Sequence, residues 1–355
     1  MKVAILGAGL AGLSCAIYLE NNGIHPTIFE RRHKVGERFP NMEAVMQLIY
    51  RPIKDPIIFI NKKFGFNIMP NAITHTLEIN SPNNKATLTG YNIGYTTIRG
   101  NHKESLESQL AGYVKSNIVF NSNVRWQDLE KDYDRIIVAT GDPIISMELG
   151  VWKTDTEAFL KGCIVKGKFD LGAAKIWLDQ SLSKQCMVYF APFSTNEASY
   201  CTVAIPSSLE ELDILWTKTV AKLNFTPVPG TEFKFEEYKL GRVSTKQIGK
   251  IMLVGAAGGF VEPFMGFGQI PSILSGIYAA ISIIEGKDFN KLTKWLDKLY
   301  MDCLTLRKYA DSSMDNDSFD KLVYLLNLPP IKNLSENSNF PLLKVIARSV
   351  GLVMQ

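Results

Sequence analysis

The chain has 355 residues, 46% of them hydrophobic and 21% charged, with a net charge of +4. That length suits one large domain or two intertwined ones, and so mild a charge, with no dense Lys/Arg block, gives no footprint for nucleic acid. The five cysteines lie far apart without any C-x-x-C, and the four histidines form no H-x-x-x-H pair. These counts argue against an iron–sulfur cluster, a structural zinc or another metal site, and they fit a reducing cytoplasm.

The start "MKVAILGAGLAGLSCAIYL" places Lys2 before an apolar run, as a secretory leader does. Its glycines at 7, 9 and 12, and the lack of a polar cleavage region, point elsewhere. No stretch reaches the roughly 18 apolar residues a membrane span needs. The longest candidate, "IPSILSGIYAAISII", is too short, so a soluble chain is expected.

"KVAIL" reads as a buried parallel strand. It leads into Gly7-Ala8-Gly9-Leu10-Ala11-Gly12, a helical pattern that stops at Gly23, and a second strand, "PTIFE", ending at Glu30. Each part has a mechanical reason. Gly7 permits the tight turn, Gly9 lets a pyrophosphate approach the backbone, and Gly12 lets helix and strand pack closely. The helix N-terminus offers free N–H groups to phosphate, and Glu30 is placed for a ribose. G-x-G-x-x-G alone is a weak signal; with strand, helix, second strand and terminal acid it reads as dinucleotide binding. Glu30 followed by Arg31 suits the adenosine of FAD or of NAD.

Further on, "HTLEINSPNNKATLTGY" alternates around a Pro-Asn-Asn turn and predicts a hairpin. "NIGYTTI" predicts a strand ending just before Arg99. "YDRIIVATGD" is another buried strand, whose Thr140-Gly141 end permits backbone approach to a cofactor. Residues 146 to 245 supply strand-like runs ("KGCIVKGKF", "CMVYFAPF", "SYCTVAIP", "FKFEEYKLG") and a capping box, Ser208 with Glu211, opening a helix through Leu223. "VGAAGGFVEPFMGFG", residues 254 to 268, follows a strand and precedes a long small-residue helix with Pro271 near its start. Its single charge is Glu262. Two glycine loops feeding helix N-termini, about 250 residues apart, imply one long cofactor across the sheet. From Asp288, a fitting N-cap, the pattern is helical, Pro329-Pro330 breaks it, and "FPLLKVIARSVGLVMQ" closes the chain as an amphipathic segment.

On "GAGLAGLSCA" with "IFERR", on "YTTIRGNHKESLESQLAGYVKSNIVFNSNV" and on "GKIMLVGAAGGFVEPFMGFGQIPSILSGIYAA", the chain resembles the FAD-dependent oxidoreductases of the p-hydroxybenzoate-hydroxylase-like superfamily. Within it the sequence is most similar to the geranylgeranyl reductase group, over roughly residues 1 to 285 in order. The resemblance implies an α/β fold: a Rossmann-like FAD-binding domain of glutathione-reductase type, an inserted mostly antiparallel substrate domain and a helical C-terminus. The expected division is 1–56 with 99–145 and 246–287 for FAD, 57–98 with 146–245 for substrate, and 288–355 for the helical region.

The resemblance also implies site residues. The first turn (Gly7, Ala8, Gly9, Leu10, Ala11, Gly12) would hold the pyrophosphate, and Glu30 with Arg31 the adenosine. Arg99 would lie near pyrophosphate or flavin, Val124 beside the adenine through its backbone, and Thr140-Gly141 by the cofactor. Gly255, Ala256, Gly259, Pro263, Gly266, Phe267 and Gly268 would surround the ribityl chain and ring. Tyr189, Phe190 and Phe193 are expected to line the substrate cavity.

Two departures stand out. Where the family carries an Asp after the first glycine of the second loop, this chain has Ala256, and "ATGD" replaces the hydroxylases' "DG" fingerprint. The group's cysteine near the flavin has no match, and no catalytic acid or base is nominated. The expectation is an FAD-dependent reductase of C=C bonds in an apolar, prenyl- or lipid-like substrate, with NAD(P)H or a redox protein as electron donor. A non-redox flavin cyclase or isomerase like the lycopene cyclases, a flavin monooxygenase and a non-enzymatic lipid carrier stay open. Residues 340–355 are the candidate for peripheral membrane contact.

Overall fold

The computed structural model describes residues 1–37, 41–205, 208–337 and 339–354. Its centre is a six-stranded sheet ordered Gln247–Ile248, Ile251–Leu253, Arg135–Val138, Val3–Leu6, Thr27–Phe29, Ile118–Val119. All neighbours run parallel except the short Gln247–Ile248 strand. Val3–Leu6 is buried along its whole length, as a strand covered on both faces must be.

The helices Leu10–Glu20 and Gln269–Glu285 pack against each other on one face of this sheet. Their contact is nearly backbone to backbone: a Cβ on Gly276 would meet the Ala11 carbonyl oxygen at 2.1 Å. Ser14 Oγ ties the crossing by donating to Leu10 O at 2.6 Å and Ile273 O at 3.1 Å. The apolar core around them takes in Leu13, Ile273, Ile277 and Phe289.

The second sheet has eight strands: Phe233–Val243, Trp152–Lys166, Glu197–Ala204, Met187–Pro192, Ala173–Trp177, Ala72–Asn80, Lys85–Arg99 and Asn41–Met46. It is antiparallel except where Ala72–Asn80 runs parallel to Ala173–Trp177. The hairpin expected around residues 81–84 is present, with Asn80 opposite Lys85. Asn41–Met46, assigned to the FAD-binding part from sequence, pairs with Gly94–Arg99 and so belongs to the second sheet. That pairing spans about fifty residues, which local pattern does not register. The expected strand "SYCTVAIP" runs as far as Ala204, and its Pro206 lies outside the described residues.

The helix Leu209–Leu223 lies on one face of this sheet, its first turn capped by Ser208, which accepts from Glu211 N at 3.2 Å. Asp288 caps the helix Phe289–Ser313 in the same way. Pro329-Pro330 breaks the helical run as expected: Asn316–Leu326 ends before the pair, which opens a new helix, Pro329–Asn337, since proline fits a helix's first turn. The tail helix Leu342–Val353 packs on Phe289–Ser313, burying Ala347 and leaving Val345, Ile346 and Leu352 exposed. Gln355 lies outside the described residues. No helix among them is long and apolar enough to cross a membrane.

Candidate cofactor and substrate site

The first glycine turn is shaped by its neighbours. Gly7 has φ +106°, and a Cβ there would meet the Ala139 carbonyl oxygen at 2.3 Å, so glycine is required twice over. A Cβ on Gly12 would strike Gly7 O at 2.0 Å, which is the close helix–strand packing its spacing suggested. Gly9 differs from both. A Cβ there would meet nothing within 4 Å. The residue stands at the N-cap of Leu10–Glu20, facing a cavity instead of protein.

At the end of Thr27–Phe29, Glu30 accepts from Ala8 N at 2.8 Å and Arg32 N at 3.0 Å. Each carboxylate oxygen retains acceptor capacity for ribose hydroxyls. Arg31 makes an ion pair with Asp142 at 3.2 Å, joining the ends of two sheet strands.

The second loop is folded around a carboxylate. Glu262 is 2% exposed and accepts from the backbone N–H groups of Phe264 (2.8 Å), Met265 (3.0 Å) and Phe267 (3.0 Å). The Glu262 backbone closes the same ring, donating to Phe267 O and accepting from Gly266 N. Burial pushes the carboxyl above its ordinary range, while these N–H groups and the Cys303 thiol hold it partly down. The ring carries Pro263, Gly266, Phe267 and Gly268 to the cavity wall, and Gly268 then caps the helix Gln269–Glu285. Upstream, the turn Gly255–Gly258 places Gly255 and Ala256 on the same wall, with Gly255 N bonded to Ser275 Oγ at 2.9 Å.

Arg99 reaches the cavity between two acids. Its Nη1 meets Glu43 Oε2 at 2.8 Å, and its Nε and Nη2 meet Glu107 Oε1 at 2.9 and 2.8 Å. Burial lowers its pKa, but Glu107 and Glu43 outweigh that and raise it. Gln269 Nε2 donates to the same Glu43 oxygen at 2.6 Å, and Gln269 Oε1 accepts from Thr97 Oγ1 at 2.8 Å. Glu43 thus ties the second sheet to the helix of the second glycine loop. Neither acid carried a sequence signal, because each meets Arg99 only through tertiary structure.

One continuous cavity touches Gly7, Ala8, Gly9, Leu10, Ala11, Glu30, Arg31, Arg99, Thr140, Gly141, Gly255, Ala256, Pro263, Gly266, Phe267, Gly268, Tyr189 and Phe190. Four expected residues are elsewhere. Gly12 is committed to the helix–strand contact. Val124 packs with Phe29 and Trp126 against the apolar cluster of Leu6 and Ile136. Gly259 sits at φ +76°, where a Cβ would meet Arg242 Cα at 2.8 Å, so it serves the packing of the loop on Phe233–Val243. Phe193 packs with Met42, Ile98 and Ala191.

Strand alternation divides the aromatic pair. Tyr189 faces Asn41, whose Nδ2 donates to its hydroxyl at 3.0 Å, whereas the Phe190 ring lies against Phe169 and Tyr200 in the cluster that includes Trp216. Burial drives the Tyr189 pKa well above its ordinary value, so the hydroxyl stays protonated.

Residues 1–171 match the family described as pyridine nucleotide-disulphide oxidoreductase. The fold is that of FAD-binding oxidoreductases. A geranylgeranyl bacteriochlorophyll reductase-like protein from Thermoplasma acidophilum superposes with a TM-score of 0.72 at 14% identity, covering 98% of both chains. A flavoprotein/dehydrogenase from Cytophaga hutchinsonii gives 0.61 at 15% identity over the whole of both chains. A flavin-dependent halogenase gives 0.63 at 16% identity, over 99% of this chain and 77% of that one. In sequence, a 36-residue stretch is 61% identical to 15-cis-phytoene desaturase of Synechococcus elongatus, so the match spans 8% of that protein.

The cofactor is FAD, and the residues present fit it. The open space beside Gly9, the two helix N-termini and the free acceptor capacity of Glu30 match a pyrophosphate and an adenosine ribose.

Two predictions follow from these contacts. Gly9→Ala should leave the stability of the apoprotein unchanged and weaken FAD binding by about tenfold or more, while Gly276→Ala should lower stability by roughly 1–3 kcal/mol through overpacking. Denaturant titration and flavin fluorescence read the two effects separately. For Glu262, the folded-state pKa is raised, so its contribution is fully present below its unfolded value and is lost as pH rises through the raised one. The stability of wild type relative to Glu262→Gln should therefore decline across that window. A difference that grew with pH would contradict it.

Proposed function

We propose that the protein is an FAD-dependent reductase of carbon–carbon double bonds in an apolar, prenyl- or lipid-like substrate. The observation that carries the reading is the continuity of the cavity. It runs from the glycine loops, past Tyr189 and Met46, to an apolar arm between the second sheet and the C-terminal helices. An apolar chain lying in that arm would share one cavity with the cofactor. The names of the Thermoplasma acidophilum protein and of the desaturase agree with chemistry on isoprenoid chains.

Bound FAD in its reduced form supplies a hydride for such a bond. The chain's own groups hold and shield the reactants. The helix Gln269–Glu285 points its positive end toward the cavity at Gly268, which favours negative charge on what lies there. Val261, Pro263, Phe264 and Phe267 line that end with apolar surface. Completing the reduction requires a proton at the second carbon. Tyr189 Oη, oriented by Asn41 at the cavity wall, is placed to relay that proton from water, receiving one as it gives its own.

The test is anaerobic. The FAD-loaded protein is reduced with dithionite and mixed with geranylgeraniol, and the flavin spectrum and product mass are followed. Substrate-dependent reoxidation, with one double bond lost per flavin reoxidised, is expected. Turnover while the flavin stays reduced would replace this reading with a non-redox cyclase or isomerase, and no turnover of any prenyl substrate would remove it.

A further inference from the structure

The second glycine loop brings few side-chain acceptors to its end of the cavity. Gly255, Ala256, Pro263, Phe264, Met265 and Phe267 offer none, and Glu262 is occupied inside its own ring. With the adenosine ribose at Glu30 and the pyrophosphate at Gly9, the rest of FAD extends toward this end. Beyond the pyrophosphate it carries a hydroxyl-bearing ribityl chain and then the ring, and each hydroxyl taken out of water requires an acceptor.

Four acids among the described residues border the cavity: Glu30, Glu37, Glu43 and Glu107. Glu30 stands at the first turn, bonded to Ala8 N and Arg32 N. Glu37 is engaged by His33, through the backbone N–H at 3.1 Å and the ring at 2.9 Å. Glu107 is 7% exposed and turns both oxygens to protein, Oε1 to Arg99 and Oε2 to Gly100 N at 3.3 Å. Glu43 differs from all three. Its Oε2 accepts from Arg99 Nη1 and from Nε2 of Gln269, the first residue of the helix Gln269–Glu285, which puts the carboxyl group at the second helix N-terminus. Its other oxygen, Oε1, accepts from no donor among the described residues and yet is not buried, and the side chain, 31% exposed, borders the cavity.

We propose that Glu43 Oε1 accepts a hydrogen bond from the ribityl chain of FAD. The bond is charge-assisted, and the two donors on Oε2 fix the carboxyl group before the cofactor arrives. Because Glu43 lies on Asn41–Met46, the bond fastens the cofactor to the second sheet, while Glu30 and the first turn hold its other end to the first. The bond does not depend on which substrate the cavity takes.

The test is a calorimetric binding series on the flavin-free full-length chain. The ligands are FAD, its 2′-, 3′- and 4′-deoxyribityl analogues, and ADP, which has neither ribityl chain nor ring. At least one deoxy analogue should bind about tenfold or more weakly than FAD. In Glu43→Gln the amide oxygen takes over the bonds from Arg99 and Gln269 and turns the NH2 group to the cavity. FAD should then weaken by a similar factor, while that analogue and ADP should bind as they do to the unsubstituted chain. Equal affinities for FAD and all three analogues in the unsubstituted chain would overturn the contact, with no variant needed. A loss in Glu43→Gln that ADP shares would also overturn it, since Glu43 would then act only through Arg99 and Gln269. So would a loss that every deoxy analogue shares, which would move the contact to the ring. Because FAD binding by the unsubstituted chain is read in the same series, the cofactor itself stands when only the contact fails.

Discussion

Everything at the site depends on how closely two helices cross. Gly276 lies against the Ala11 carbonyl with no room for a methyl group, and Ser14 bonds across the gap to Ile273. The helices begin at Gly9 and Gly268, neither with a side-chain cap, and both caps border one cavity. Two segments about 250 residues apart in sequence therefore present two positive helix ends to a single long anionic cofactor. Side chains at that crossing would hold the helices apart and separate the two loops.

The second loop lacks nucleophiles because its role is geometric. Glu262 is the exception that builds it: an ionisable group withdrawn from water to gather the N–H groups of Phe264, Met265 and Phe267. Such burial is tolerated only with this density of donors. The result is a rigid bend that turns Gly266, Phe267 and Gly268 toward the cavity. On the other side, Glu43 binds Arg99 and Gln269 together and so holds the second sheet over the loop.

The sequence announced what is encoded locally. The turn from Gly7 to Gly12, the acid at Glu30, the hairpin before residue 85 and the caps at Ser208 and Asp288 all depend on spacings of a few residues. What it concealed depends on distant partners. Asn41–Met46 looked like part of the first domain because its partner strand lies about fifty residues on. Phe193 was expected at the cavity from the resemblance, yet it joins the packing of Met42 and Ile98, while Phe190 borders the cavity with its ring packed under the helix Leu209–Leu223. Arg99 stood out by position, but the two acids that hold it did not.

In the proposed function, an apolar arm joined to a glycine-rich cradle implies a division of labour: backbone would hold the cofactor, and side chains of the second sheet and C-terminal helices would hold what it acts on. The most direct measurement of that account is the visible spectrum of the purified protein, with the cofactor released by denaturation and quantified. The account predicts a yellow protein that dithionite bleaches, with one FAD released per chain. A colourless protein that takes up no flavin from excess FAD would contradict it.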